Sequence, residues 1–88
     1  MSFLPPSQTP LNQHSLIDLE LWLKELGAKP SNRDPSVWNL LMPKWTAQIK
    51  MEIDSLFIAW EQGGETRHCS FPYGLSRFDV ESAILQGP

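Results

Sequence analysis

The stretch Trp45-Thr46-Ala47-Gln48-Ile49-Lys50-Met51-Glu52-Ile53, followed by Asp54-Ser55 and then Leu56-Phe57-Ile58-Ala59-Trp60, decides the fold. Trp45, Ala47, Ile49, Met51 and Ile53 alternate with Thr46, Gln48, Lys50 and Glu52. That period of two is the mark of a strand with one buried face. Taking Asp54-Ser55 as a two-residue turn places Ile53 opposite Leu56, Met51 opposite Ile58 and Ile49 opposite Trp60. All six then share one face, as directly opposed residues of a hairpin must. The other face pairs Glu52 with Phe57, Lys50 with Ala59 and Gln48 with Glu61. Asp-Ser is a poorer turn than Asn-Gly, so a longer loop is the alternative.

Further strands flank this hairpin. Ser36 to Met42 reads as a strand with Trp38, Leu40 and Met42 on one face, stopped by Pro43. Gly63-Gly64 makes the next turn, and Thr66 to Phe71 reads as an edge-like strand closed by Pro72. Upstream, Ser15 offers an N-cap with Asp18 in the capping-box position. Leu16, Leu19, Leu23 and Leu26 form one helical face, Gly27 stops the helix, and Pro30 lies beyond it. Ile17 and Leu21 make a second apolar ridge on that helix, which Phe3, Leu4 or Leu11 of the preceding segment could cover. Downstream, Ser76 caps a short helix with Asp79 at its third position, a Leu75–Val80 staple, and Val80, Ala83 and Ile84 facing inward. Gly87-Pro88 ends it.

The expected fold is therefore α+β: a small antiparallel sheet of three to four strands with two helices on one face, in the order α-β-β-β-(β)-α. Residues 1–14, with Pro5, Pro6 and Pro10, form an extended proline-rich arm. Residues 15–88 form a single domain, and residues 28–35 read as a loop.

Composition narrows the function classes. Eighty-eight residues support one core, and four Trp and four Phe supply bulky material for it. Seven basic residues against ten acidic leave a net charge of −3, and the basic residues are spread along the chain. That balance disfavours nucleic acid as a partner. The single cysteine, Cys69, cannot form an internal disulfide and fits a reducing compartment. No apolar run approaches the roughly 20 residues of a membrane span, and the first residues lack a secretory pattern. A cytoplasmic or stromal protein is expected.

The residues that could carry chemistry are few. A metal site would draw on His14, His68 and Cys69, but His68 and Cys69 are adjacent and point to opposite faces of a strand. Cys69 shares its strand face with Phe71 and reads as a small buried thiol. Asp18, Glu20 and Glu25 are accounted for by capping and solvation. Gly63-Gly64 lacks the lysine and helix start of a phosphate loop. No catalytic, cofactor-binding or metal-ligating set follows, and an enzyme is not expected.

The segments Thr9-Pro10-Leu11 to Gly27, Trp45 to Trp60, and Tyr73-Gly74-Leu75-Ser76-Arg77 through Gln86-Gly87-Pro88 resemble a small uncharacterised family of cyanobacteria and plastids, the DUF3143-like domains of unknown function. The closing Leu-Ser-Arg-x-Asp-Val-Glu…Gly-Pro run is the most specific part of the likeness. The resemblance implies a photosynthetic host and a soluble location, and it brings no functional residues to carry over.

Two expectations follow. The first is a non-enzymatic protein-interaction module, an accessory or assembly factor of a larger complex, whose contact residues are drawn from Ile17, Leu21, Lys50, Phe57, Phe78 and Leu85. A homodimer through the open sheet face or an edge strand is its plainest form. The second is a small RNA- or ribosome-associated module, which would need Lys44, Lys50 and Arg67 to form one patch.

Overall fold

Ser15 starts the first helix as the sequence requires. In a computed structural model that describes residues 4–88, the Ser15 hydroxyl accepts from the Asp18 N–H at 3.1 Å, and the Asp18 carboxylate accepts from the Ser15 N–H at 3.4 Å. This completed capping box opens α1, Leu16–Leu26. Gly27 ends it at φ +98°, a left-handed conformation that glycine adopts without steric cost. The Ser76 hydroxyl likewise accepts from the Asp79 N–H at 3.1 Å and opens α2, Arg77–Gln86.

Five strands lie between the helices: β1 Lys29–Pro30, β2 Val37–Leu41, β3 Thr46–Met51, β4 Ser55–Gln62 and β5 Glu65–Pro72. They form one sheet in sequence order, every neighbour antiparallel. The fold class is α+β, with five strands in place of three to four. The extra strand comes from the segment read as a loop. Pro30 biases Lys29 toward an extended backbone, and both residues then pair with Asn39 and Trp38. The rest of that connection is tied down by Asp34, whose carboxylate accepts from the Ser36 N–H and hydroxyl at 2.9 and 2.7 Å.

The central hairpin keeps its apolar face but not its expected register. Met51 opposes Leu56, Ile49 opposes Ile58 and Ala47 opposes Trp60; on the other face Lys50 opposes Phe57, Gln48 opposes Ala59 and Thr46 opposes Glu61. The turn falls on Ile53-Asp54, with the Glu52 N–H donating to the Ser55 carbonyl at 3.0 Å. Moving a turn by one residue moves every cross-strand partner by two, so faces are conserved while partners change. Ile53 is thereby expelled from the core and lies 95% exposed.

One face of the sheet carries Trp38, Leu40, Ala47, Ile49, Leu56, Ile58 and Trp60, all buried. Trp22 and Leu23 of α1 and Val80 and Ile84 of α2 close over them, which puts both helices on that face. The Trp60 indole donates to the Ile84 carbonyl at 3.2 Å, and the Trp22 indole donates to the Glu81 carboxylate at 2.8 Å, tying α1 to α2.

The proline-rich arm packs somewhere other than the Ile17–Leu21 ridge. The Leu11 and Asn12 N–H groups donate to the carbonyls of Leu75 and Tyr73, and the Arg77 and Phe78 N–H groups donate to Thr9 and Ser7. The Arg77 guanidinium also holds the Pro5 carbonyl at 2.9 Å. Backbone pairing thus lays the arm along the entry to α2. A short 3-10 turn, Leu11–Gln13, then drives the Leu11 side chain into the core. Leu4 packs against the core margin; Phe3 lies outside the described residues.

Candidate functional site

The candidate contact residues fall on two sides of the sheet. On the helical layer, Ile17 is 75% exposed and Leu21 is half-buried, while Phe78 and Leu85 are 49% and 41% exposed. Phe78 and Leu85 are seven residues, or two turns, apart on one stripe of α2, with Glu81 between them reaching Trp22. On the opposite, open face of the sheet, exposed Lys50 stands directly across from half-buried Phe57. The Phe57 ring lies 5.7 Å from that of His68 on β5, tilted by 30°. Four candidates therefore belong to the helix side and two to the sheet side; they are not one site.

The structure also assembles a surface that periodicity missed. Leu11, Leu16, Leu19, Met51, Ile53 and Tyr73 line a mostly apolar groove of about 370 Å³ between the start of α1 and the β3–β4 turn. Leu16 is 62% exposed and Ile53 forms its outer lip. Their spacing predicts inward faces for both. Spacing assigns a face, but an element's end can overhang the core, and here both residues do. The Tyr73 hydroxyl donates to the Glu52 carbonyl and braces the turn that carries Ile53. Burial, and secondarily the Glu52 carboxylate, raise its pKa above the ordinary phenol value.

The other titratable groups are dispersed. His68 lies opposite Ala59 on the open face and Cys69 opposite Ile58 on the helical face. Among the described residues no three His, Cys, Asp or Glu side chains form a metal-binding group. Cys69 is exposed, not buried: it points to the helix side, but β5 is the sheet's outer strand and the helices do not extend over it. His14 is buried, with Nδ1 2.9 Å from the Pro10 carbonyl. A carbonyl can only accept, which assigns the proton to Nδ1 and makes His14 a brace for the Leu11–Gln13 turn. The Asp34 carboxyl is held below its ordinary value by the Ser36 hydroxyl and N–H, with the Lys50 charge a smaller cause.

Lys50 and Arg67 do not share a face of the sheet. Lys50 is on the open sheet face, Arg67 is opposite Trp60 on the helical face, and Lys44 sits in the β2–β3 connection.

Comparison with known families places this architecture. Residues 26–87 match the family described as Protein of unknown function (DUF3143). The chain belongs to the DUF3143 family. No curated protein and no solved structure matches it. The DUF3143 match runs from the last residue of α1 to the cap of α2, so it takes in the whole sheet and the second helix. Lys50, Ile53, Phe57, Phe78 and Leu85 lie within it; Leu16, Ile17 and Leu21 lie before it. No helix of the described residues is long and apolar enough to cross a membrane.

Proposed function

We propose that this DUF3143 protein is a non-enzymatic protein-interaction module, an accessory or assembly factor of a larger cyanobacterial or plastid complex, acting in the cytoplasm or stroma. The observation that carries the reading is the groove lined by the start of α1 and the β3–β4 turn, where Leu16 and Ile53 stand 62% and 95% exposed. Burying one such side chain in a partner contributes about 1.5–3 kcal/mol. A partner element presenting apolar side chains is the chemistry this groove fits. The RNA- or ribosome-associated alternative drew on a patch uniting Lys44, Lys50 and Arg67; their separation leaves it without support.

The test is tagged purification and mass spectrometry from a cyanobacterial host with the natural chain and a Leu16→Ser/Ile53→Ser variant side by side. A partner recovered with the natural chain and lost with the variant is the expected result. Identical recovery by both, or no stable partner across growth conditions, overturns the reading.

A further inference from the structure

The two edges of the sheet are built differently. The β1 edge is two residues long and contains Pro30, the usual way of closing an edge to further pairing. The β5 edge is eight residues long, paired with β4 without a bulge, and every residue from Glu65 to Ser70 is exposed. It carries no lysine, and its one proline, Pro72, is at the very end. A long edge without these protections is a template for another strand.

We propose that β5 pairs antiparallel with β5 of a second copy of this chain, about a two-fold axis that passes through Cys69. The hydrogen-bonding direction follows from the Gly63-Gly64 turn. Both glycines have positive φ, +60° and +84°, and the turn is flanked by the Gln62–Glu65 pair. In such a two-residue turn the flanking pair is the hydrogen-bonded one, so Glu65, Arg67, Cys69 and Phe71 bond inward to β4. Thr66, His68 and Ser70 therefore present their N–H and C=O groups to the outside.

Symmetry then leaves few registers. A two-fold perpendicular to the sheet places one residue opposite itself, and the registers that use most of the strand centre on Cys69 or His68. Centring on His68 sets two imidazoles against each other and puts the Glu65 carboxylate against the Phe71 ring. Centring on Cys69 pairs His68 with Ser70 through outward backbone groups on both. It also sets each Arg67 guanidinium across from the partner copy's Phe71 ring, a favourable cation–π placement. Cys69 then faces its own copy as a non-hydrogen-bonded pair about 4.5 Å apart at Cα, inside the span of about 4.4–6.8 Å that a disulfide bridges. The joined sheet ends at both sides in the proline-blocked β1 edge, so the assembly closes at two copies.

The experiment combines analytical ultracentrifugation across the micromolar range with diamide oxidation, in which two Cys69 thiols give two protons and two electrons to the reagent and form one S–S bond. The natural chain is expected to sediment as a dimer and to cross-link through Cys69. Ser70→Pro removes an outward N–H and no bond to β4. It is expected to keep the circular dichroism of the natural chain, to sediment as a monomer and to cross-link at least about tenfold more slowly, because proximity is lost. Arg67→Glu, which leaves the backbone intact, is expected to weaken the dimer as well. A chain that stays monomeric at all concentrations overturns the proposal, as does a dimer unaffected by both variants. A Cys69→Ser/His68→Cys variant that cross-links faster than the natural chain overturns the register. Dimerisation is separate from partner capture by the Leu16–Ile53 groove, so a monomer that still captures that partner overturns this inference alone.

Discussion

Gly87 shows how much a single position can constrain. Its φ is +86°, and a Cβ added there would fall 2.6 Å from the Trp45 indole nitrogen. Gly87→Ala therefore meets both backbone strain and a packed ring, and is expected to cost about 2 kcal/mol in chemical denaturation. The same substitution at Gly74 meets nothing within 4 Å and has ordinary φ, so it serves as the control. Tyr73 makes the complementary case, because a polar contact decides its role. Tyr73→Phe removes the hydroxyl bond to the Glu52 carbonyl and is expected to cost about 1 kcal/mol. Since the phenol's pKa is raised in the folded chain above 10.0, its contribution is fully present below that pH and is lost as pH rises through the folded value. Tyr73 is the only tyrosine, so phenolate absorbance reports it directly. The titration midpoint is expected above that of the urea-unfolded chain; a midpoint at or below it contradicts the burial argument.

At the scale of elements, the β3–β4 hairpin shows what alternation does and does not specify. Apolar residues at every second position assign a buried face whatever the turn, and the side chains of Ile49, Leu56 and Ile58 are buried accordingly. Register depends on which residues make the turn, and Ile53-Asp54 has no strong turn chemistry of its own. Among the described residues no non-glycine has positive φ, so this turn is not of the primed type that suits strand twist. Replacing Ile53-Asp54 by Asn-Gly is expected to stabilise the fold by about 0.5–1 kcal/mol in thermal melts. Helix caps were more legible than strand partners because a cap is a local contact: Ser15 with Asp18, and Ser76 with Asp79, lie three residues apart. The short β1 strand was illegible for the converse reason, since two residues next to a proline gain strand geometry only from β2.

At the scale of the whole molecule, the distinction is between apolar residues that hold the core and those that overhang it. Leu23 and Leu16 share a helix and a spacing pattern, yet one is fully buried and the other 62% exposed. Leu23→Ala is expected to cost about 3 kcal/mol by leaving a cavity. Leu16→Ser and Ile53→Ser are each expected to change stability by less than about 0.5 kcal/mol, the range of surface substitutions. Equal losses at Leu16 and Leu23 would show that the groove is part of the core.

The sequence by itself determined the α+β class, both helices with their caps and stops, and the apolar face of the central hairpin, because each rests on residues near one another in the chain. Only the tertiary structure decided the rest. It set the hairpin register, added β1, and laid the arm against the entry to α2 instead of over Ile17. It left Cys69 exposed on an outer strand and brought Leu16 to Ile53 across a groove. Each of these depends on which elements become neighbours and on where one element ends beyond its cover. Periodicity along a single segment contains neither quantity.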